Sequence, residues 1–335
     1  MSKVRMAQYG TSHGHADGKM RAMLDNPSVE VAGVYEPNPE RRRACEVSEG
    51  GYRGVRFYSE AEEMLGDGSI AAVASEGAND ESLDQTEQIV AAGKHVWYDK
   101  PAGDDWEQGQ RVFARAREAG LQIQMGYMLR YHPAFKQVSE WARGGILGQV
   151  FSIRAHMSTW LDEPARERIS VHAGGIHYDL AGHMLDQVVW ILGRPEKVTP
   201  FLRNDSSIVP KFCDNTLAVY EFENAMATID IAAMETRPMA RRFEVYGTRG
   251  SVIITEPFEP GVRIRLCLDE KREGFEQGEQ VVSVEALGRL DLYRLELRSF
   301  LAAIRGERAP DRSLEHELLV QETLLRGCRR SDGGS

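Results

Sequence analysis

Short apolar runs alternate with helical stretches through the first third of the chain, and this alternation limits the possible folds more than any other feature. The predicted strands are Val4–Tyr9, Val29–Tyr35, Ile70–Ser75, His95–Tyr98 and Gln122–Tyr127. The predicted helices between them are Lys19–Asn26, Glu60–Leu65, Asp84–Ala92 and Trp106–Ala119. Such alternation is typical of βαβ units around a parallel sheet. We therefore predict an α/β, doubly wound domain over residues 1–124.

The second half has a different pattern, in which strands follow one another at hairpin spacing. The predicted strands are Asn215–Glu223, Met226–Met234, Arg241–Tyr246, Ser251–Thr255 and Val262–Leu268. Their alternation of apolar and polar residues is typical of an antiparallel sheet with one buried face. Gly174–Leu192, Leu292–Ile304 and Leu314–Cys328 are predicted helices, and Arg154–Ser170 is predicted to be irregular. We expect an α+β domain over residues 125–330 and a flexible tail over 331–335.

Charge and composition exclude several classes of partner. The net charge of −10 argues against a nucleic-acid partner. No run of about 18 apolar residues predicts a membrane span, and Met1–Met6 has no apolar core of the signal-peptide kind. The four cysteines lie far apart, as reduced thiols of a cytoplasmic protein do. We expect a cytoplasmic protein without a membrane partner.

The segment after the first strand is placed where a dinucleotide-binding fold holds its phosphates. Gly10 fits the first position of G-x-G-x-x-G, but Ser12 and His15 stand at the other two glycine positions. An ordinary βα turn explains the segment about as well. If it is a phosphate loop, Gly10, Ser12, His13 and His15 are its cofactor-binding residues.

The end of the second strand bears on the choice of cofactor. Glu36 follows Gly10 by 26 residues, where an acidic side chain can accept hydrogen bonds from the adenosine ribose. It would repel a 2′-phosphate, so NAD is favoured. Arg41–Arg43 follow closely and could reverse this preference toward NADP. A solvated carboxylate at a strand end is the alternative reading of Glu36.

Three residues form a candidate acid–base set. Asp179 and His183 are four residues apart, so in a helix they share one face. Lys100 follows a buried-looking strand, and at the carboxyl end of a parallel strand it would face the ligand crevice. A surface lysine is the alternative.

Four motifs in order give the chain a resemblance to the glucose–fructose oxidoreductase / inositol dehydrogenase (Gfo/Idh/MocA) family. The motifs are G-K-H-V followed by D-K-P at 93–101, G-x-x-x-R-x-x-P at 126–133, G-G-x-x-x-D-x-x-x-H-x-x-D at 174–186 and E-V-x-G-T-x-G-S at 244–251. The resemblance covers nearly the whole length. It implies a Rossmann domain, a second domain with a large, mostly antiparallel open-faced sheet, NAD or NADP, and a sugar or cyclitol substrate.

The resemblance also implies roles for matching residues. Lys100, Asp179 and His183 become the catalytic set of an NAD(P)-dependent oxidoreductase acting on CH–OH groups. His183 is favoured as the general base, because imidazole titrates near neutral pH, and Lys100 as the group that polarises the reacting oxygen. The sequence leaves open whether Lys100 is the base instead. Lys100 and Asn79 are also expected near the cofactor.

Tyr127, Arg130, His177 and Asp179 are expected to contact the substrate. Two departures from the family pattern accompany these residues. Asp99 stands where the family has glutamate, and Ser82 stands where it usually has histidine.

The histidines around the pair do not predict a metal. His172, His177 and His183, with Asp179, lack the spacing of a zinc helix motif, in which two ligands at i and i+4 combine with a third elsewhere. We expect no functional metal.

Three functions remain open at this stage. The favoured one is a dehydrogenase that oxidises a secondary hydroxyl of a sugar, cyclitol or derivative. A second is a redox-neutral epimerase, lyase or glycosidase-like enzyme that keeps NAD bound and acts through a keto-sugar intermediate. A third is a non-catalytic sugar or dinucleotide sensor.

One face of the second sheet has no predicted helix layer to cover it. An apolar sheet face needs burial, and the family commonly pairs sheet to sheet. We therefore expect a homodimer or homotetramer.

Overall fold

A computed structural model describes residues 3–255, 257–258 and 260–329. The expected tail, 331–335, lies outside the described residues. The chain divides into two units, one made of Met1–Met128 and Arg289–Leu318, the other of Leu129–Gly288 and Leu319–Ser335. The expected boundary at residue 124 placed residues 289–318 in the second domain, whereas the structure groups them with the first unit.

The first unit contains a parallel sheet with strand order β2-β1-β3-β4-β5. Its strands are β1 (Val4–Tyr9), β2 (Val29–Tyr35), β3 (Ala72–Ser75), β4 (His95–Tyr98) and β5 (Ile123–Met125). Its helices along the chain are α1 (Ala16–Leu24), α2 (Pro39–Glu46), α3 (Ala61–Gly66), α4 (Ser82–Ala91) and α5 (Trp106–Glu118). All residues of β3 are buried, as expected for a strand in a sheet covered on both faces. The predicted doubly wound domain is confirmed.

Helix α5 shows how the local sequence defines an element of this unit. Asp105 caps its N-terminus by accepting a hydrogen bond from the Gln108 N–H at 2.9 Å. Val112, Phe113 and Ala116 are buried on one stripe, while the arginines of its last turn lie near the negative end of the helix dipole.

The second unit contains a larger sheet with order β13-β12-β11-β10-β6-β9-β8-β7, in which β6 and β9 form the one parallel pair among the described strands. After a 3₁₀ turn at Met128–Tyr131, its elements are α6 (Pro133–Gly144), β6 (Val150–His156), α7 (Glu163–Ile169), α8 (Ile176–Leu192), β7 (Lys197–Arg203), β8 (Asn215–Phe222), β9 (Ala225–Ala232), β10 (Arg242–Gly247), β11 (Gly250–Ile254), β12 (Arg263–Leu268) and β13 (Gly278–Ser283). The predicted mostly antiparallel sheet is confirmed. In β12, Ile264, Leu266 and Leu268 are buried, while Arg263 is exposed.

The prediction that Arg154–Ser170 is irregular was wrong. Strand β6 runs through the first three of these residues, and α7 occupies Glu163–Ile169. The polar composition concealed a capped helix, since Asp162 accepts a hydrogen bond from the Ala165 N–H at 3.0 Å and Pro164 stands in the first turn.

Two helices close the chain. α9 (Arg289–Ile304) packs on α1 within the first unit, and α10 (Leu314–Cys328) follows it. Among the described residues, no helix has both the length and the apolar run needed to cross a bilayer.

Candidate active site

The loop between β1 and α1 is a tight turn that approaches the neighbouring backbone closely. Gly10 has a φ of +80°, and a Cβ at this position would lie 2.6 Å from the Gly77 nitrogen. Only glycine suits both conditions. The N-terminus of α1 has no side-chain cap, and its first N–H group, that of Ala16, donates to the His13 carbonyl oxygen at 3.1 Å. Bare backbone and an uncapped helix N-terminus fit the diphosphate of a dinucleotide.

The side chains of this loop converge on one carboxylate. His15 Nδ1 lies 3.0 and 3.1 Å from the two oxygens of Asp99, and His13 Nδ1 lies 3.3 Å from Asp99 Oδ2. The two rings meet edge to face, with centroids 4.7 Å apart. The Ser12 hydroxyl is buried and finds no hydrogen-bond partner among the described residues, which leaves it available to a ligand. The two histidines therefore extend from the β1–α1 loop to the end of β4.

Beneath the loop lies a fully buried ionic cluster. Lys19 Nζ is 2.8 Å from Glu76 Oε1 and 3.0 Å from Asp99 Oδ2, and it stands 4.6 Å from the centroid of the Trp97 ring. Burial would raise the pKa of Asp99, but His13, His15 and Lys19 outweigh it and hold that pKa well below its usual value. Burial raises the pKa of Glu76 well above its usual value, and the attraction of Lys19 offsets this only in part. Asp99 is thus the carboxylate that carries the charge.

Lys19 and Glu76 were not among the residues predicted from the sequence, and Asp99 was noted only as a departure from the family motif. A signal for Lys19 was present, because it lies between Ala16, Met20 and Met23 on the buried stripe of α1. A charged residue on an apolar stripe needs a buried partner of opposite charge. The sequence could not identify that partner, since Glu76 and Asp99 follow two different strands.

Glu36 lies at the end of β2, as predicted, with its carboxylate held from three sides. Thr11 Oγ1 donates to Oε2 at 2.7 Å, while the Asn38 N–H at 2.8 Å and Arg41 Nε at 3.0 Å donate to Oε1. Arg41 also forms an ion pair with Glu81 at 2.8 Å. The guanidinium nearest to Glu36 is therefore already balanced by two carboxylates.

Lys100 stands at the carboxyl end of β4 and is buried. Its backbone N–H donates to Asp99 Oδ1 at 2.7 Å, so the backbone of this lysine and the β1–α1 loop share one carboxylate. Asn79 lies in the segment between β3 and α4. Both residues are in the first unit.

In the second unit, α8 carries the other two members of the candidate set. Asp179 and His183 are one helical turn apart; His183 is buried and Asp179 is partly exposed. Gly175 begins this helix with a φ of +54°, and a Cβ there would lie 2.4 Å from the Cys213 carbonyl oxygen. The glycine pair of the motif is thus explained by close packing at the start of α8.

Three further predicted substrate contacts are buried. His177 is 0% exposed and its Nε2 lies 2.9 Å from the Tyr220 hydroxyl. Arg130 forms a 2.6 Å ion pair with Asp186 inside the second unit, and Tyr127 is 0% exposed in the first. Arg130 and His177 thus each have a partner inside the second unit.

The structure brings together a group of metal-ligand type that differs from the one considered in the sequence. His13, His15 and Asp99 have ligand atoms within 4.8 Å of one another. The Lys19 ammonium already supplies a cation at 3.0 Å from Asp99 Oδ2.

Comparison with known proteins agrees with this architecture. Residues 5–127 match the oxidoreductase family model with an NAD-binding Rossmann fold, and residues 135–253 match the GFO/IDH/MocA C-terminal domain. The uncharacterized oxidoreductase ORF334 of Rhizobium meliloti is 26% identical, with 100% of this chain and 99% of that protein aligned.

Two further comparisons have sugar-related names. The 1,5-anhydro-D-fructose reductase of Ensifer adhaerens is 24% identical, over 84% of this chain and 82% of that protein. A levoglucosan dehydrogenase, solved with NADH and levoglucosan, has a TM-score of 0.82 at 16% identity, covering 98% of this chain and 97% of that one. At that identity the likeness to the solved structure shows the fold alone. The two family models together match more than half of the chain, which is an NAD-dependent oxidoreductase of the Gfo/Idh/MocA family.

Proposed function

We propose that this oxidoreductase transfers hydride between NAD and a secondary hydroxyl of a sugar, cyclitol or sugar derivative. The observation that carries the proposal is the pairing of Asp179 and His183 on one face of α8, in a chain whose NAD-binding unit ends β4 with Lys100. A relative named 1,5-anhydro-D-fructose reductase and a fold neighbour named levoglucosan dehydrogenase support a carbohydrate-like substrate.

The three residues have distinct proposed roles. His183 takes the hydroxyl proton as general base, and Asp179 binds the substrate or orients the imidazole. The Lys100 ammonium stabilises negative charge on the reacting oxygen. When bound, the nicotinamide accepts or returns the hydride. Lys100 and His183 belong to different units, so their joint action on one hydroxyl is part of the proposal.

We assign cofactor binding to Gly10, Ser12, His13, His15, Glu36, Asn79 and Lys100. Glu36 supports NAD over NADP, because Arg41 already bonds to Glu36 and Glu81. A 2′-phosphate would meet a carboxylate with no uncommitted charge on Arg41 to offset it.

The chain is also proposed to form homodimers or homotetramers through the second sheet. Phe201, Leu217, Met226 and Val281 are exposed large apolar side chains on its strands. Burying such a face against a second copy removes apolar surface from water. Analytical ultracentrifugation tests this, and a particle of 37.6 kDa at micromolar concentration would refute it.

The function is tested by following cofactor and carbohydrate together. Purified protein is mixed with NAD or NADP and a panel of sugars, cyclitols and anhydro-sugars; absorbance at about 340 nm reports the cofactor, and mass spectrometry reports the sugar. Stoichiometric keto product with NADH is the expected result. Product without net NADH would replace the proposal with the redox-neutral enzyme, and binding without product would replace it with the sensor.

Matched variants test the assigned residues. His183→Ala is expected to lower kcat by about 10²–10⁴-fold, since general-base catalysis contributes that much. His95→Ala is its control, because His95 lies at the amino end of β4, where its Nδ1 accepts the Gln122 N–H at 3.0 Å. An equal loss of kcat in both variants would contradict the assignment of His183.

A further inference from the structure

The Asp99 carboxylate connects two parts of the first unit that have different tasks in the proposed reaction. Its Oδ1 accepts the Lys100 backbone N–H at 2.7 Å, and His15 Nδ1 lies 3.1 Å from the same oxygen. Its Oδ2 lies 3.0 Å from Lys19 Nζ and 3.3 Å from His13 Nδ1. One side chain thus contacts both histidines of the cofactor loop and the residue that carries the catalytic amine.

The buried ammonium of Lys19 would destabilise the fold if it were not paired with a carboxylate such as that of Asp99. It lies in the first turns of α1, where the helix dipole disfavours a positive charge, and it is 0% exposed. Removing an ammonium from water costs several kcal/mol before pairing. Its partners are Asp99 and Glu76, and Glu296 of α9 adds a further negative charge nearby. Together with His13 and His15, the lysine holds the pKa of Asp99 below its usual value inside the protein.

Space around Asp99 is limited as well. A Cβ at Gly126 would lie 2.7 Å from Asp99 Oδ1, so the carboxylate is packed against the backbone that follows β5. The Tyr293 ring of α9 lies 5.3 Å from the His15 ring, which confines the imidazole on its other side. Asp99 is therefore closely packed, and His15 has an aromatic neighbour as well as the carboxylate.

The charge of His15 decides the direction of its hydrogen bond. Burial lowers the pKa of His15 to about 4, although Asp99 opposes this, so the imidazole is neutral at pH 7. A carboxylate can only accept, hence neutral His15 donates through Nδ1. The orientation of its ring in the loop consequently depends on the contact with the Asp99 carboxylate.

We infer that Asp99, held by Lys19, is a positioning residue that fixes the histidines of the NAD-binding loop and the backbone of Lys100 relative to each other. A cofactor that contacts the loop then meets Lys100 at a fixed place. The inference rests on the proposed function for the role of Lys100, while its effect on the loop depends only on NAD binding.

A double-mutant cycle on NAD affinity tests the first part of the inference, that Asp99 fixes the histidines of the loop. Dissociation constants are measured by calorimetry at pH 7 for wild type, Asp99→Asn, His15→Ala and the double variant. We expect each single change to weaken NAD binding about 10-fold and the double change to add less than about 3-fold, because both remove one interaction. Effects that multiply to about 100-fold would overturn the inference.

Lys19→Met and Lys94→Met form a matched pair of buried-lysine variants. Lys94 Nζ donates only to backbone carbonyl oxygens in its described contacts, those of Asp67 and Ile70, each at 2.9 Å. Both variants are expected to lose stability, whereas only Lys19→Met should weaken NAD binding, by about 10-fold. Equal NAD affinities for the two would show that Lys19 is structural and would overturn the inference.

The second part of the inference, that Asp99 fixes the backbone of Lys100, is tested by measuring kcat at saturating NAD. Asp99→Asn should lower kcat about 10-fold, whereas His15→Ala should change kcat less than about 3-fold. An unchanged kcat in Asp99→Asn would limit the residue to the loop and overturn the coupling. One divalent metal per purified chain, absent from His15→Ala, would instead make the cluster a metal site.

Failure of the proposed function is distinguishable from failure of this inference. If no carbohydrate is turned over, the binding cycle still decides the first part of the inference. The second part is then tested by NMR of ¹³C-methylated lysines, with the Lys100 signal assigned by Lys100→Arg. NAD should shift that signal in wild type and not in Asp99→Asn, and equal shifts in both would overturn the coupling.

Discussion

One histidine in each unit is neutral at pH 7, but the two lie in opposite surroundings. His177 is 0% exposed on α8, and burial alone lowers its pKa to about 4. His15 has a similarly lowered pKa, yet its side chain keeps 11% exposure and faces an ionised carboxylate beside an uncapped helix N-terminus. A closed pair such as His177 and Tyr220 stabilises the fold. A neutral imidazole that contacts a carboxylate and has one side open can also hold a ligand.

The buried cations of the two units, Arg166 and Lys19, also differ in their surroundings. Arg166 in the second unit is 1% exposed, and it donates to the Leu161 and Ala233 carbonyl oxygens at 2.9 Å and contacts Asp214 Oδ2 at 3.2 Å. Lys19 in the first unit instead pairs with Asp99, whose carboxylate also contacts His15 of the β1–α1 loop. We therefore expect changes at Arg166 and His177 to affect stability and changes around Asp99 to affect cofactor binding.

The largest effect on stability is expected from Arg166→Met. Removing one partner of a buried ion pair leaves Asp214 charged in the interior, which costs about 3–5 kcal/mol. Urea unfolding measures the loss, and calorimetry on the folded variant should give the wild-type NAD affinity. A loss below about 1 kcal/mol, or a 10-fold weaker NAD affinity, would break the contrast between the units.

Acidification should give the next largest effect, through His177. Its folded pKa, about 4, lies below the unfolded value of 6.5, so the folded state disfavours the protonated form. The stability it contributes is present above pH 6.5 and is lost as the pH falls to 4, by up to about 3 kcal/mol at 1.36 kcal/mol per pKa unit.

His177→Gln isolates this contribution, since an amide can bond to the Tyr220 hydroxyl without titrating. The carboxylates titrate in both proteins and cancel in the difference. Urea unfolding at pH 7, 5.5 and 4 should show a shallower loss in the variant. Parallel losses in the two proteins would mean that His177 is not held neutral by burial.

The first unit could be predicted well because its signals are local. β1, β2 and β4 have the predicted bounds, since each is an apolar run ended by a polar or glycine residue. In the second unit β6 and α7 are among the elements that were missed, because β6 pairs with distant strands and α7 depends on the Asp162 cap. Short-range patterns do not contain such pairings.

The candidate site likewise contains residues that the sequence could predict and residues that it could not. Asp179 and His183 could be placed on one face of a helix from their spacing alone, and α8 confirms that placement. The cluster of Lys19, Glu76 and Asp99 could not be predicted, because its members follow or precede three different strands and meet only in the folded sheet. Their sequence neighbours do not indicate the contact.

The smallest effect in this series concerns two helix N-termini of the first unit. α5 is capped by Asp105, whereas α1 has no side-chain cap. Asp105→Ala should lower the free energy of unfolding by about 1 kcal/mol, the usual value of an N-cap. It should leave NAD affinity unchanged, because the N-terminus of α5 is capped by the Asp105 side chain. His15→Ala should do the reverse, with little loss of stability and about 10-fold weaker NAD binding.

Thermal unfolding with and without saturating NAD measures both quantities in one experiment. A ligand that binds only the folded state raises its stability by RT ln(1 + [L]/Kd), so a 10-fold weaker affinity removes about 1.4 kcal/mol of the NAD-dependent stabilisation. Asp105→Ala should keep the full NAD-dependent shift from a lower starting temperature. If His15→Ala keeps it as well, the uncapped end of α1 does not depend on its histidine, and the open surroundings of His15 have no role in binding the cofactor.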